Sequence, residues 1–198
     1  MMSAAKREIT RADILPMAEY GKIRTEKRKE YVALKKQRRI EVGPFATVLF
    51  ESYTSMWLQV HEMLYIEKGG EEQIEGELAA YNPMIPNGRE LTCTVLFEID
   101  DPIRRKNVLG RIGGVEETMT VSFAGEVVRG VPEEDTDRTS GDGKASSVQF
   151  IHFPFTAAQA ALFKQPGTQV LVGFTHENYG HMAVMPEAMR ASLASDLD

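Results

Sequence analysis

Residues 91 to 99 have the sequence LTCTVLFEI, in which every odd-numbered side chain is apolar. Thr92, Thr94 and Glu98 occupy three of the four positions between them, so apolar and polar side chains alternate. Successive side chains of a β-strand point to opposite faces of a sheet, and one unbroken apolar face is typical of a strand that covers a core. This segment therefore predicts a central strand in which Cys93 and Val95 are buried.

The segments around this strand predict helices and further strands. In the segment from Met17 to Arg39, apolar residues recur at helical spacing and form the inward face of one predicted helix, namely Met17, Tyr20, Tyr31 and Leu34. The segment 53–68, which contains Trp57, is apolar on nearly all sides. Further β-rich or alternating segments lie at 40–51, 118–131, 148–155 and 169–175. Because several strands follow one another without an intervening helix, we expect an α+β fold with an antiparallel or mixed β-sheet, several packed helices and a basic N-terminal helix.

The composition is typical of a globular protein. The chain has 198 residues, of which 42 % are hydrophobic and 26 % charged, so residues 1–198 are expected to form a single domain with a full core. Cys93 is the only cysteine, which excludes an internal disulfide. Met1 to Thr10 lacks the apolar stretch of a signal peptide, and no run of about 18 apolar residues occurs. We expect a cytoplasmic protein without membrane insertion.

One internal segment lacks any periodicity. Residues 132–146 are polar and rich in Gly, Asp and Ser, and they separate two strand-like segments. A long segment of this kind is usually a functional or disordered loop. We expect a mobile loop at 132–146.

Charge is distributed unevenly along the chain. Residues 22–39 contain nine lysines and arginines against two glutamates, a net charge of +7 that leaves −13 for the other 180 residues. This asymmetry favours a protein partner or a homo-oligomer that contacts the basic helix at 22–39. The overall pI of about 5.4 and the lack of aromatic residues interleaved for base stacking argue against a nucleic-acid partner.

Two histidines define the main candidate metal site. His176 and His181 flank the segment Glu177-Asn178-Tyr179-Gly180, which predicts a tight turn that brings both imidazoles near one another. Glu62, on the apolar helix 53–68, is a candidate third ligand, because an acid held inside a fold needs a partner or a metal. Glu51 and Glu98 are alternatives to Glu62. Imidazole and carboxylate together favour a transition metal, namely zinc, iron or manganese.

Several segments together resemble one protein family. They are KKQRR at 35–39 followed by Gly43-Pro44 and LFE at 49–51, QVHEMLYIE at 59–67, ELAAYNPMIP at 77–86, KASSVQF at 144–150 and the His176–His181 turn. The chain is similar over most of its length to the uncharacterised bacterial family called domain of unknown function 3501. The resemblance implies an accessory role beside rubrerythrin-like and iron–sulfur reductase proteins in an iron-linked redox or peroxide-defence system. It implies no specific reaction.

Three functional hypotheses follow from these patterns. The first is an accessory or metal-binding protein of a cytosolic redox system. The second is an enzyme that uses Glu62 or a histidine as a general base in a pocket covered by the loop at 132–146. The third is a nucleic-acid-associated protein that acts through the basic helix. The sequence alone leaves open whether the protein is an enzyme.

Overall fold

The computed structural model describes residues 7–133, 139 and 143–198. In these residues the α-helices are α1 (Met17–Lys36), α2 (Tyr53–Glu67), α3 (Glu71–Tyr81), α4 (Pro102–Leu109), α5 (Ala157–Lys164) and α6 (Glu187–Ala194). The strands are β1 (Arg39–Val42), β2 (Ala46–Phe50), β3 (Glu90–Phe97), β4 (Met119–Phe123), β5 (Glu126–Arg129), β6 (Val131–Pro132), β7 (Val148–Pro154), β8 (Val170–His176) and β9 (Tyr179–Val184).

The strands form two antiparallel sheets, and β3 is the central strand of the larger one. The five-stranded sheet has the order β1-β2-β3-β7-β6, and the four-stranded sheet has the order β5-β4-β8-β9. Cys93 and Val95 are fully buried. The predicted central strand and the predicted α+β fold with an antiparallel sheet are both confirmed.

The two sheets pack face to face around the main hydrophobic core. The apolar residues of β3 point to this core together with those of β4 and β8, and α5 and α6 contribute Phe163 and Leu193 to it. Phe97 and Phe174 illustrate the contact, since their rings lie 6.1 Å apart across the two sheets. The apolar side chains that alternate along β3 therefore lie on the face of the larger sheet that packs against the smaller sheet.

The first three helices cover the opposite face of the larger sheet. They share a second hydrophobic cluster that includes Tyr20, Trp57 and Leu78, and Phe150 of β7 packs against it. Ile151, the next residue in β7, points into the main core. Successive side chains of β7 thus contact the two clusters in turn, which places the larger sheet between them.

Strands β4 and β5 form a hairpin around Ala124-Gly125 within the alternating segment at 118–131. Strands β4 and β5 pair in register from Thr120–Arg129 to Phe123–Glu126, and both turn residues have positive φ, 49° for Ala124 and 81° for Gly125. Two consecutive positive φ values are typical of the two-residue turns whose twist matches that of the flanking strands.

The predicted helix over 22–39 ends earlier than expected. Helix α1 stops at Lys36, Arg38 is buried at 4 % exposure, and Arg39 begins β1. The guanidinium of Arg38 donates hydrogen bonds to the carbonyl of Glu51 and the carboxylate of Asp196. Arg38 is therefore an internal structural residue, and the prediction that it belongs to an exposed basic helix is wrong.

The segment at 132–146 is described only in part. Pro132 pairs with Ile151, and Thr139 forms a bridge to Ala145, which is buried. The remaining residues, 134–138 and 140–142, lie outside the described residues, so the mobile loop stays a prediction, as does the single-domain organisation. Among the described residues, no helix is long and apolar enough to cross a membrane.

Candidate ligand-binding site

Helices α1 and α2 run antiparallel and are joined at one end by a partly buried polar group. Arg24 donates two hydrogen bonds of 2.8 Å to the two carboxylate oxygens of Glu62, and the Tyr20 hydroxyl donates one of 2.6 Å. The hydrogen bond from Arg24 holds the pKa of Glu62 below its ordinary value. Glu62 is therefore an ionised residue that fixes the spacing of the two helices at this end.

His61, the neighbour of Glu62, fixes the orientation of the only tryptophan. Its side chain is fully buried, Nδ1 lies 2.7 Å from the carbonyl oxygen of Trp57, and Nε2 accepts a hydrogen bond from the backbone N–H of Leu15. Burial lowers the pKa of His61, which favours a neutral ring with the proton on Nδ1. The imidazole lies against the indole of Trp57, with 3.8 Å between the ring centroids and an angle of 34° between the ring planes.

At its other end the helix pair opens into a cleft of about 340 Å³. The walls are mostly aromatic and aliphatic, and the polar groups lie among the outer lining residues. The lining residues are Lys27, Glu30, Tyr31 and Leu34 of α1 and Tyr53, Thr54, Trp57 and Leu58 of α2. This volume lies at the lower end of the range of small-molecule sites, which are typically apolar with few polar groups.

Two contacts define the polar features of the cleft. The ammonium of Lys27 lies 2.8 Å from the carboxylate of Glu30, so these two charges partly compensate each other. The indole N–H of Trp57 donates to the carbonyl of Asp13, 3.0 Å away. Because one face of the indole lies against His61 and its N–H is bonded to Asp13, the indole is held as a rigid wall of the cleft.

Glu51 is a buried acid close to the cleft. One carboxylate oxygen accepts a 2.6 Å hydrogen bond from the Thr94 hydroxyl, and the other has no hydrogen-bond partner among the described residues. Burial raises the pKa of Glu51. Glu51 precedes Tyr53, a lining residue of the cleft, by two positions, and after burial its charge is a further cause of the raised pKa of Tyr31.

The predicted metal ligands lie in different surroundings. Glu62 is bound by Arg24 and Tyr20 in the helical layer, whereas His176 and His181 belong to the β8–β9 hairpin in the smaller sheet. No group of three or more His, Cys, Asp or Glu side chains that could hold a metal ion occurs among the described residues. The metal assignment to His176, His181 and Glu62 stays a prediction.

The hairpin itself differs from the predicted turn. Its loop is Glu177-Asn178, and Tyr179 already belongs to β9. His176 therefore pairs with Tyr179, and His181 pairs with Phe174. Nε2 of His176 lies 3.1 Å from the carbonyl oxygen of Gly113, and the ring of His181 lies against Tyr179 with 4.7 Å between centroids. The two histidines are not cross-strand partners.

Comparisons with known proteins identify the family. A model described as "Protein of unknown function (DUF3501)" matches residues 8–197. This chain belongs to the DUF3501 family. A crystal structure of a novel protein of unknown function from Burkholderia pseudomallei K96243 is similar, with 34 % sequence identity, 96 % of this chain and 99 % of that chain covered, and a TM-score of 0.89. No curated protein matches the chain.

The family resemblance inferred from the sequence is thus confirmed, and the DUF3501 fold is shared with that crystal structure. Neither description states an activity. The cleft of this DUF3501 protein was missed by sequence reasoning, although Tyr31 and Leu34 were assigned to the inward face of α1 and Trp57 to the buried helix. Their positions on two helices more than twenty residues apart gave no local signal for a cleft.

His152 is a second site that the sequence did not reveal. Its Nδ1 lies 3.1 Å from a carboxylate oxygen of Glu90, and its Nε2 lies 3.5 Å from one of Glu133. The hydrogen bond to Glu90 is the main reason that the pKa of His152 is raised. Glu90 of β3 and Glu133, which follows β6, therefore both favour the charged form of His152 on β7.

We expect replacement of His152 by glutamine to cost about 1 kcal/mol of stability at acidic pH and less at alkaline pH. The stabilisation from the imidazolium is complete below the ordinary histidine pKa of about 6.5. It is lost as the pH rises through the raised pKa of the folded state. Urea unfolding of both proteins at acidic and alkaline pH measures this, and a difference that does not change with pH would contradict it.

Proposed function

We propose that this protein binds a small, largely apolar ligand with one or two rings in the cleft between α1 and α2. The observation that supports it is the aromatic wall formed by Tyr31, Tyr53 and Trp57 around about 340 Å³ of space. Aromatic side chains offer large apolar surfaces whose polar edges can orient a ring. Because Glu62 holds the opposite end of the helix pair and His61 holds the indole of Trp57 in the wall, the cleft exists before any ligand enters, which lowers the cost of binding.

Such binding fits an accessory protein. The family resemblance by itself supports a place beside a cytosolic iron-linked redox or peroxide-defence system, and a transition metal at His176 and His181 belongs to the same proposal. Elemental analysis of protein purified without a histidine tag tests the metal. An absence of zinc, iron and manganese from that preparation would remove this part of the proposal and leave the cleft unaffected.

A second candidate function is an enzyme that uses Glu51 as its general base. Glu51 suits this role better than Glu62, because its pKa is raised and one of its oxygens has no partner among the described residues, whereas Arg24 lowers the pKa of Glu62. A base with a raised pKa exchanges protons more readily near neutral pH. Conversion of a bound ligand that survives the Glu51→Gln substitution would exclude Glu51 as the base.

Trp57 lines the cleft and is the only tryptophan, so its fluorescence reports ligand binding there. We expect indole, 2-naphthol or a related one-ring or two-ring compound to change the emission of Trp57 in a saturable manner and to raise the melting temperature. The Thr54→Phe substitution, which fills the mouth of the cleft from an exposed position, should weaken this binding by about tenfold or more.

The matched control is Ala158→Phe, which adds the same ring at an exposed position of α5 outside the cleft. It should leave the affinity unchanged. Equal weakening by both substitutions, or no saturable change in Trp57 emission with any compound of the series, would overturn the proposal. Circular dichroism of each variant verifies that its helices are intact.

A further inference from the structure

The helical layer has one basic and one acidic flank. Residues 27–36, the C-terminal half of α1, contain five lysines and arginines and a single acid, Glu30. Helix α3 contains four glutamates and no basic residue. We call residues 27–36 the basic flank and the exposed residues of α3 the acidic flank.

The two flanks belong to different helices, each of which contacts α2. Helix α1 contacts α2 through the Arg24–Glu62 hydrogen bonds and the edge contact of Tyr20 with Tyr65. Helix α3 contacts α2 separately, through the amide of Gln59, which donates to the hydroxyl of Tyr81. Among the residues that the structure describes, no ion pair joins the basic flank to the acidic flank of the same chain.

Much of this charge has no partner within the chain. Lys27 pairs with Glu30, but Arg28, Lys29 and Lys36 form no ion pair with any residue that the structure describes. On the acidic flank, Arg11 pairs with Glu71 and Glu75. Glu72 is exposed and forms no ion pair within the described part of the chain.

The shape of both flanks suits a helix–helix contact. Lys22, Lys29 and Lys36 are seven residues apart, so they form one stripe on the side of α1 away from buried Tyr20. The exposed side of α3 carries small residues between its acids, namely Gly76, Ala79 and Ala80. A side-chain atom added to Gly76 would meet no atom within 4 Å, so a second helix can approach closely there.

We propose that two copies of this protein associate by packing the basic flank of one against the acidic flank of the other. A second copy is the occupant that the charges favour, because the complementary surface is present on every molecule. A two-fold axis forms both contacts at once, as a self-complementary dimer requires. Val32, which belongs to the basic flank and is 55 % exposed, adds apolar surface there.

The test is a charge exchange between the two flanks, followed by sedimentation equilibrium of the full chain. Wild-type protein should dimerise at about 25 mM salt, and its dissociation constant should rise about tenfold or more by about 500 mM. The variants Arg28→Glu/Lys29→Glu and Glu72→Lys/Glu75→Lys should each be monomeric. An equimolar mixture of the two variants should form a mixed dimer, because its opposite charges again face each other.

The control is Lys106→Glu, which reverses an exposed charge on α4 and should leave dimerisation unchanged. Three outcomes would overturn the proposal. They are a wild-type monomer at low salt, a mixture that stays monomeric while both variants are folded, and salt-sensitive binding of duplex DNA through Arg28 and Lys29 without self-association. The mixing step distinguishes a lost contact from a lost fold, since a misfolded variant cannot regain its partner.

Discussion

The Asp196→Ala substitution is expected to destabilise the folded protein by about 3 to 5 kcal/mol, because it leaves the guanidinium of Arg38 buried without its counter-charge. The two side chains are only 5 % and 11 % exposed, and their nitrogen and oxygen lie 2.8 Å apart. Burial raises the pKa of Asp196, which Arg38 opposes. Arg38 also donates to the carbonyls of Glu51 and Ser192, so the pair connects the start of β1 with α6.

The neighbouring residue Arg39 provides a matched control. Arg39 pairs with Glu98, but these side chains are 40 % and 52 % exposed. Exposed ion pairs contribute about 0 to 1 kcal/mol, so Arg39→Ala should change the free energy of unfolding by less than about 1 kcal/mol. Guanidinium unfolding at neutral pH measures both variants. A loss below about 1 kcal/mol for Asp196→Ala would show that the buried charge of Arg38 finds another partner.

The His61→Ala substitution is expected to cost about 3 kcal/mol and to weaken ligand binding in the cleft. The substitution leaves the backbone N–H of Leu15 and the carbonyl of Trp57 without their present partner and opens a cavity beneath the indole. The emission of Trp57 should shift to longer wavelength as water reaches the ring. Urea unfolding and tryptophan fluorescence measure the two effects on the same sample.

His181→Ala is the comparison for this experiment, because His181 is only partly buried and lies outside the helical layer. It should cost about 1 kcal/mol or less and leave the emission of Trp57 unchanged. If His61→Ala leaves both stability and emission near the wild-type values, the indole is not held by His61. The account of a cleft that exists before ligand binding would then be wrong.

Local patterns were sufficient to predict most of the secondary structure. The alternation at 91–99 predicts β3, and Thr156 with Gln159 forms the capping box that begins α5. Both signals depend on residues within one turn or one strand. They can therefore be recognised in the sequence without knowledge of the tertiary contacts.

Patterns failed where a residue is placed by a distant part of the chain. Arg38 continues the basic run from Lys35, yet it is buried because Asp196, 158 positions later, lies beside it. His176 and His181 flank a turn, yet the register of β8 and β9 pairs them with Tyr179 and Phe174. Charge runs and turn residues do not specify register or partner, which depend on which segments pack together.

The candidate site likewise combines features that local sequence patterns predict with features that depend on distant contacts. The sequence by itself determined that α2 is apolar on most sides and that Tyr31 and Leu34 share the inward face of α1, because helical periodicity is a local property. Only the tertiary structure decided that these faces separate into a cleft at one end. The contacts of Glu62 with Arg24 and Tyr20 close the other end, and contacts between separate helices depend on how complete side chains pack in three dimensions.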